Sequence, residues 1–271
     1  MKSIIKDDYN IYIDNIKIWF KYILERHRVF KKWLNNDIKP WTEDMIIQNG
    51  RLCNVYRYLD RESVYVITDI IAKLRNKPVD LLFNIIIFRS YLNSSEAMDI
   101  IGLQSYRDFN EDLFIEKIKE VNHKIGKISN AAYNVGSFQL FRDVSSGNGC
   151  KPYRVSRMLK TLTEIPLDKI MNKIIDSSDS ETTYNMICSL SGIGPFIGYQ
   201  ICIDLGYWSK NIYNESLHVY LGPGALRGLK WLFDENDNHT PLEQIYFLRT
   251  IQNFVFKEIN INPHLVLDSD F

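Results

Sequence analysis

Apolar and aromatic residues recur along this chain at helical spacing, while strict apolar–polar alternation is scarce, and this restricts the fold more than any other feature. Tyr12, Ile16, Trp19, Phe20, Ile23 and Leu24 form one stripe. Val64, Ile67, Ile70, Ile71 and Leu74 form a second, and Leu113, Ile115, Ile118 and Val121 a third. Residues spaced in this way line one side of a helix, so each stretch is expected to bury one amphipathic face. Clusters of Asn, Asp, Ser, Gly and Pro at 35–40, 76–78, 145–152, 177–180 and 234–241 mark the expected breaks. The widest of these, around Ser145-Ser146-Gly147-Asn148-Gly149, reads as a mobile loop rather than a domain linker. The chain is therefore expected to be one mainly α unit over 1–271, with an N-terminal helical part over about 1–145 and a second part over about 150–271.

With 45% hydrophobic and 24% charged residues the chain can bury a sizeable core. Its apolar runs, such as residues 81–88, stop well short of the roughly 18 residues that a membrane span needs. The start, MKSIIKDDYN, lacks the apolar centre of a secretory signal, so a cytoplasmic location and no membrane partner are expected. Cys53, Cys150, Cys188 and Cys202 stand far apart with no paired spacing, which points to reduced thiols and to no metal site. The 33 basic and 33 acidic residues cancel, against a protein that coats nucleic acid non-specifically. One local basic run, Arg26, His27, Arg28, Lys31 and Lys32, reads as a solvated helix face.

The sharpest local signal is Leu190-Ser191-Gly192-Ile193-Gly194-Pro195-Phe196-Ile197-Gly198. It predicts an apolar helix, a Gly-x-Gly turn and a second helix from Pro195 to about Leu205. Gly192 and Gly194 would permit positive φ and leave the turn bare. Pro195 suits the first helical position, and the amides beside it would form an anion site for a DNA phosphate. Leu190, Ile193, Ile197 and Ile201 would hold the two helices together. Downstream, Leu221-Gly222-Pro223-Gly224-Ala225-Leu226-Arg227-Gly228 adds a second Gly-rich turn, with Gly222, Gly224 and Arg227 as candidate backbone contacts. Near the N-terminus stand Pro40-Trp41-Thr42-Glu43-Asp44 and then Arg51-Leu52-Cys53-Asn54-Val55-Tyr56-Arg57, closing on Asp60-Arg61. Spacing would place Asn54, Arg57 and Asp60 on one helical face, suited to reading a base edge, with Trp41 and Tyr56 to stack on an extruded base. A buried Arg–Asp network is the alternative for this string.

The segment 190–198 resembles the helix–hairpin–helix of the DNA glycosylase superfamily that includes endonuclease III and the alkylbase glycosylases. The resemblance implies a two-lobed helical, glycosylase-like fold and a catalytic carboxylate about twenty residues after the hairpin. Glu215 alone stands near that place, Asp204 lies within the second hairpin helix, and Pro195 or Phe196 occupies the lyase-lysine position. A second resemblance covers more of the chain. Pro40 to Asp44, Arg51 to Arg61, Gly192 to Gly194, Asp204 and Gly222 to Gly228 are similar to motifs in the helical domain of hydroxymethyluracil DNA kinases and the related glutamyl/putrescinyl thymine pyrophosphorylases. The stretch FNIIIFRSYLN and Ala132-Tyr133 are similar too, whereas the tail HLVLDSDF does not show the pattern.

Two enzymatic readings follow. The first, placed slightly ahead because the hairpin is the feature best supported physically, is a glycosylase. It would excise a hydroxymethylated or glucosylated pyrimidine, as in antiphage defence, with Asp204 or Glu215 as the carboxylate and no cofactor. The second is a kinase phosphorylating a 5-hydroxymethyl pyrimidine in DNA. Asp204 would then be the general base, and residues 222–228 would cradle the phosphates of ATP or GTP. The chain has neither a G-x-x-x-x-G-K-[ST] loop nor a protein-kinase signature. A third reading is a DNA-binding module without chemistry. The lone histidines, His218 among them, read as surface or packing residues.

Overall fold

The computed structural model describes residues 9–50, 52–92, 94–126 and 151–259. The expected loop at 145–149, Arg51, Ala132-Tyr133 and Cys150 lie outside them. The described residues are mainly helical. In chain order they form α1 (Ile13–Leu34), α2 (Met45–Asn49), α3 (Arg61–Tyr65), α4 (Ala72–Leu74), α5 (Pro78–Ile87), α6 (Ser95–Ile101) and α7 (Glu111–Lys124). There follow α8 (Lys151–Thr163), α9 (Leu167–Ser177), α10 (Ser180–Cys188), α11 (Pro195–Trp208), α12 (Pro223–Leu232) and α13 (Pro241–Glu258). Two π-helical stretches, Val66–Ile71 and Phe88–Leu92, continue α3 and α5.

The chain divides into two compact units, but not near residue 145. Arg61–Tyr220 form one, and Met1–Asp60 with Leu221–Phe271 form the other. The physical reason is that the partners of the first stripe lie at the far end of the sequence. Ile16, Phe20 and Leu24 of α1 are buried with Leu229, Leu232 and Phe233 around α12 and with Phe247, Leu248, Ile251, Val255 and Phe256 of α13. Two backbone bonds fasten the start of α1 to the end of α12: the Tyr12 amide donates to the Leu232 carbonyl and the Asp234 amide to that of Asn10. Thr240 and Glu243 close a reciprocal capping box at the head of α13.

The continuous unit, 61–220, surrounds α5, whose residues 81–87 are all buried. An all-round apolar helix has no face to offer water, and here it is enclosed. Its one polar member at the centre, Asn84, is satisfied: its amide donates to the carbonyls of Asp80 and Gln104 and its oxygen accepts from the Gln104 amide. The second stripe is shifted from its expected phase. Val64 is 42% exposed while Val66 and Ile70 are fully buried. The π-helical turn at Val66–Ile71 explains this, because its wider turn rotates the sequence against the core. In α7 the buried face is Phe114, Ile118 and Val121, and the expected Leu113 is 59% exposed.

Candidate nucleic-acid interface

The hairpin forms largely as read. α10 ends at Cys188, a short turn follows, and α11 starts on Pro195 at its first position. Leu190, Ile193, Ile197 and Ile201 are buried between the helices. Gly192 has φ of +84°, a conformation that favours glycine. Gly194 does not: its φ is −88°, in the extended region, and it serves as the N-cap of α11 without a side-chain cap. A Cβ there would meet nothing within 4 Å, so Gly194 keeps the surface bare without any need for left-handed backbone. Gly198 has the opposite role. An added Cβ would lie 2.5 Å from the Cys188 Sγ, so the missing side chain lets α10 and α11 close. Gly198→Ala is expected to destabilise by about 1–3 kcal/mol through overpacking. Adding Cys188→Ala should recover most of that loss, read as the urea midpoint of the single and double variants.

The predicted catalytic carboxylates are not brought together. Asp204 is fully buried in α11, and Arg89 holds it in a bidentate pair, Nε to Oδ2 at 2.5 Å and an outer guanidinium nitrogen to Oδ1 at 2.8 Å. Asp204 therefore presents no exposed surface to a substrate, and its pair with Arg89 ties α11 to the π-helical stretch after α5. Glu215 stands exposed in the loop beyond α11.

The base-reading string also behaves differently. Residues 52–56 are not helical, and only a short 3-10 turn, Arg57–Leu59, follows, so Asn54, Arg57 and Asp60 do not share a helical face. Asn54 is consumed locally. Its Oδ1 accepts from Arg26 at 2.8 Å, its side-chain amide donates to the Leu59 carbonyl at 3.0 Å, and its backbone N–H donates to Asp60 at 3.2 Å. Arg26, which also donates to the Leu52 carbonyl, is the cation of this part-buried cluster, and it bonds Asn54 rather than an aspartate. Trp41 donates its indole N–H to the Asp37 carbonyl, and the Lys39 ammonium lies 4.6 Å from its ring centroid, a cation–π contact. Tyr56 packs edge-on against His27 at 5.2 Å and beside Tyr58 at 5.5 Å. Within the basic run, His27 is buried and Lys32 donates to the Trp41 carbonyl, so these residues do not form one open cationic face.

The second Gly-rich segment is the opening of α12 rather than a turn. Gly222 caps it, Pro223 is at its first position, and 223–228 are all exposed. Arg227 makes no hydrogen bond or ion pair with the described residues, leaving its guanidinium available to an anion. Gly224 and Gly228 have open space where a Cβ would stand, and with Ala225 they form a smooth wall of an apolar cleft of about 1070 Å³. Ile18, Tyr22, Ile46 and Trp231 line it as well, with Lys21, Glu25, Arg28 and Asp44 as its charged residues. Among the described residues no cluster of His, Cys, Asp and Glu is arranged to hold a metal ion, and no helix is long and apolar enough to cross a membrane.

One constellation escaped the sequence reading. Tyr184 of α10, Tyr199 of α11, and Tyr213, His218 and Tyr220 beyond it gather beside the hairpin. The Tyr184 ring lies 4.6 Å from His218 and 6.2 Å from Tyr220, and Tyr199 is 6.0 Å from Tyr220. The Tyr213 hydroxyl reaches both the His218 Nδ1, at 2.9 Å, and the His218 carbonyl, at 3.0 Å. Burial pushes the imidazole below its ordinary value, opposed by Glu181 and Asp179. Five tyrosines between residues 184 and 220, four of them in this cluster, were the available signal. Their separations follow no single period, so no stripe revealed them.

A model of the 5-hmdU DNA kinase helical domain matches residues 14–270. A relative, the 5-hmdU DNA kinase of Bacillus phage SP10, is 24% identical over 256 residues, covering 86% of this chain and 38% of that protein. This chain thus spans well under half of the relative's length. No solved structure matches. Both matches carry the name of a DNA kinase, and they overturn the glycosylase reading that the hairpin had put first. The hairpin by itself carries no chemistry, so it does not separate the two readings. The match extends over nearly the whole chain and includes both Gly-rich segments and the N-terminal polar string, and on that ground the chain belongs to the family of 5-hmdU DNA kinase helical domains.

Proposed function

We propose that this chain is the DNA-handling part of a kinase for 5-hydroxymethyl pyrimidines in DNA. It would hold the modified strand while the hydroxymethyl oxygen receives a phosphoryl group from ATP or GTP. The observation that carries this is the family match over residues 14–270. The geometry agrees with it in three respects. The first turn of α11 carries no side-chain cap, so its positive dipole end suits a phosphate. Arg227 stands exposed at the opening of α12, with no partner among the described residues. A tyrosine-rich corner lies beside the hairpin, where a base can stack. Phosphoryl transfer needs little covalent help from a protein and depends on positioning, which is the task a rigid helical scaffold performs.

The test uses oligonucleotides identical except for one base, thymine or 5-hydroxymethyluracil, incubated with the protein with and without ATP or GTP. Tighter binding of the hydroxymethyl strand, with or without nucleotide, is expected. Equal binding of both strands would sink the proposal. Weakened binding at higher salt, with a shallow slope, is expected from a chain of zero net charge.

A further inference from the structure

The Tyr213 hydroxyl has one proton and two partners on the same residue. A carbonyl can only accept, so the proton goes to the His218 carbonyl, and the hydroxyl oxygen accepts from Nδ1–H. This fixes the neutral tautomer: the proton is on Nδ1 and the lone pair on Nε2. The phenol that enforces it is itself locked, being 1% exposed and therefore unable to turn away. Nε2 hydrogen-bonds to no described residue, yet it is not one of the sealed, unsatisfied polar atoms, so it is an open acceptor. The Tyr184 ring covers one side of the imidazole, and Tyr220 continues the aromatic wall. Tyr184 itself leans toward the head of α11, its hydroxyl 3.4 Å from the Pro195 carbonyl, so this wall adjoins the hairpin. A fixed acceptor beside aromatic faces and next to the uncapped start of α11 matches the parts of a flipped pyrimidine: a π face, a backbone phosphate and a donor group on the ring.

We infer that His218 reads the modified base, its Nε2 accepting a hydrogen bond from the hydroxyl of a 5-hydroxymethyl pyrimidine stacked against the Tyr184–Tyr220 wall. The inference rests on the proposed function for its substrate class. Thymine has a methyl group at the same place and offers no donor, and a formyl group offers only an acceptor. A site built around a hydroxyl donor rejects both, because the unpaired acceptor loses its water without replacement. The groups facing the imidazole are Tyr213, Tyr184 and the carboxylates of Asp179 and Glu181. Burial keeps it neutral at physiological pH, and protonation below its ordinary value of 6.5 would turn the acceptor into a donor.

The experiment measures binding of strands carrying 5-hydroxymethyluracil, thymine or 5-formyluracil to wild type, His218→Asn and Tyr213→Phe. Asparagine can keep a donor toward Tyr213 but has no nitrogen at the Nε2 position. Wild type is expected to prefer hydroxymethyl over both others roughly ten-fold at pH 8, the worth of one hydrogen bond. His218→Asn should bind all three alike at the thymine level, and Tyr213→Phe should lose part of the preference. Lowering the pH should raise formyl binding in wild type alone. A preference kept in His218→Asn overturns this inference and leaves the proposed function standing, whereas a wild type without any preference overturns both. Nitrogen NMR of wild type supplies a check that no variant's folding can blur: a proton found on Nε2 at neutral pH overturns the inference outright.

Discussion

Asp204→Ala is expected to lower the unfolding free energy by about 3–5 kcal/mol, the usual cost of leaving a buried charge without its partner. The size follows from the location. Asp204 has no exposed surface and the Arg89 side chain is 3% exposed, so water cannot replace the lost carboxylate without opening the core. The neighbours are apolar: Phe88 precedes Arg89, and Ile203 and Leu205 flank Asp204, all of them buried. A double replacement, Arg89→Met with Asp204→Leu, removes both charges together and should regain most of the stability, since an apolar pair carries no desolvation penalty. Urea unfolding of the three proteins checks this. A loss below about 1 kcal/mol in Asp204→Ala would mean that the pair is open to solvent, and would return Asp204 to the candidates for chemistry.

Gly206→Ala carries the second large effect, and its sign is informative. In a helix interior, glycine to alanine normally stabilises by about 1 kcal/mol. In α11 the added Cβ would stand 2.6 Å from the Tyr213 carbonyl oxygen, against backbone that has no room to move. The loop is held on both sides: Thr183 donates to the Ile212 carbonyl, and the Asn214 amide donates to the Ser180 hydroxyl. A loss of about 1–3 kcal/mol is expected instead of a gain. Because Tyr213 orients His218, the variant should also shift the imidazole resonances and blunt recognition of the modified base. Thermal unfolding and NMR of the same sample read both effects, and a gain in stability with unchanged resonances would contradict the packing described.

The helical nature of the chain was legible because burial against a neighbour selects one side of each helix, and the sequence records that selection. The hairpin was legible for a second reason: Gly192 and Pro195 are constrained by the backbone itself, whatever packs around them. The phase of the second stripe was not legible, since a π-helical turn changes the period within six residues, Val66–Ile71, and no single spacing describes both sides of it. The partners of Asn54 and Asp204 were not legible for a shared reason. A polar residue in an apolar context signals a partner, but the partner, Arg26 or Arg89, lies 28 or 115 positions away, and the sequence does not name it. His218 was passed over because its chemistry depends on a tyrosine hydroxyl held against it, which composition does not reveal. The glycosylase reading rested on the hairpin, a short segment, and the breadth of the family match overturned it.

The division of the chain has a consequence for its biogenesis. The unit at 61–220 is continuous, so all its partners lie within one stretch of sequence and can mature while synthesis proceeds. The helix α1 is made before α12 and α13, with Ile16, Phe20 and Leu24 turned toward partners that belong to those two later helices. Its apolar face waits through the translation of the entire inserted unit, open to chaperones and to neighbouring nascent chains. The cost of joining such distant segments rises only slowly with the length between them, and a completed inserted unit shortens the effective loop further. The helix α1, made before the inserted unit, is therefore covered only after it.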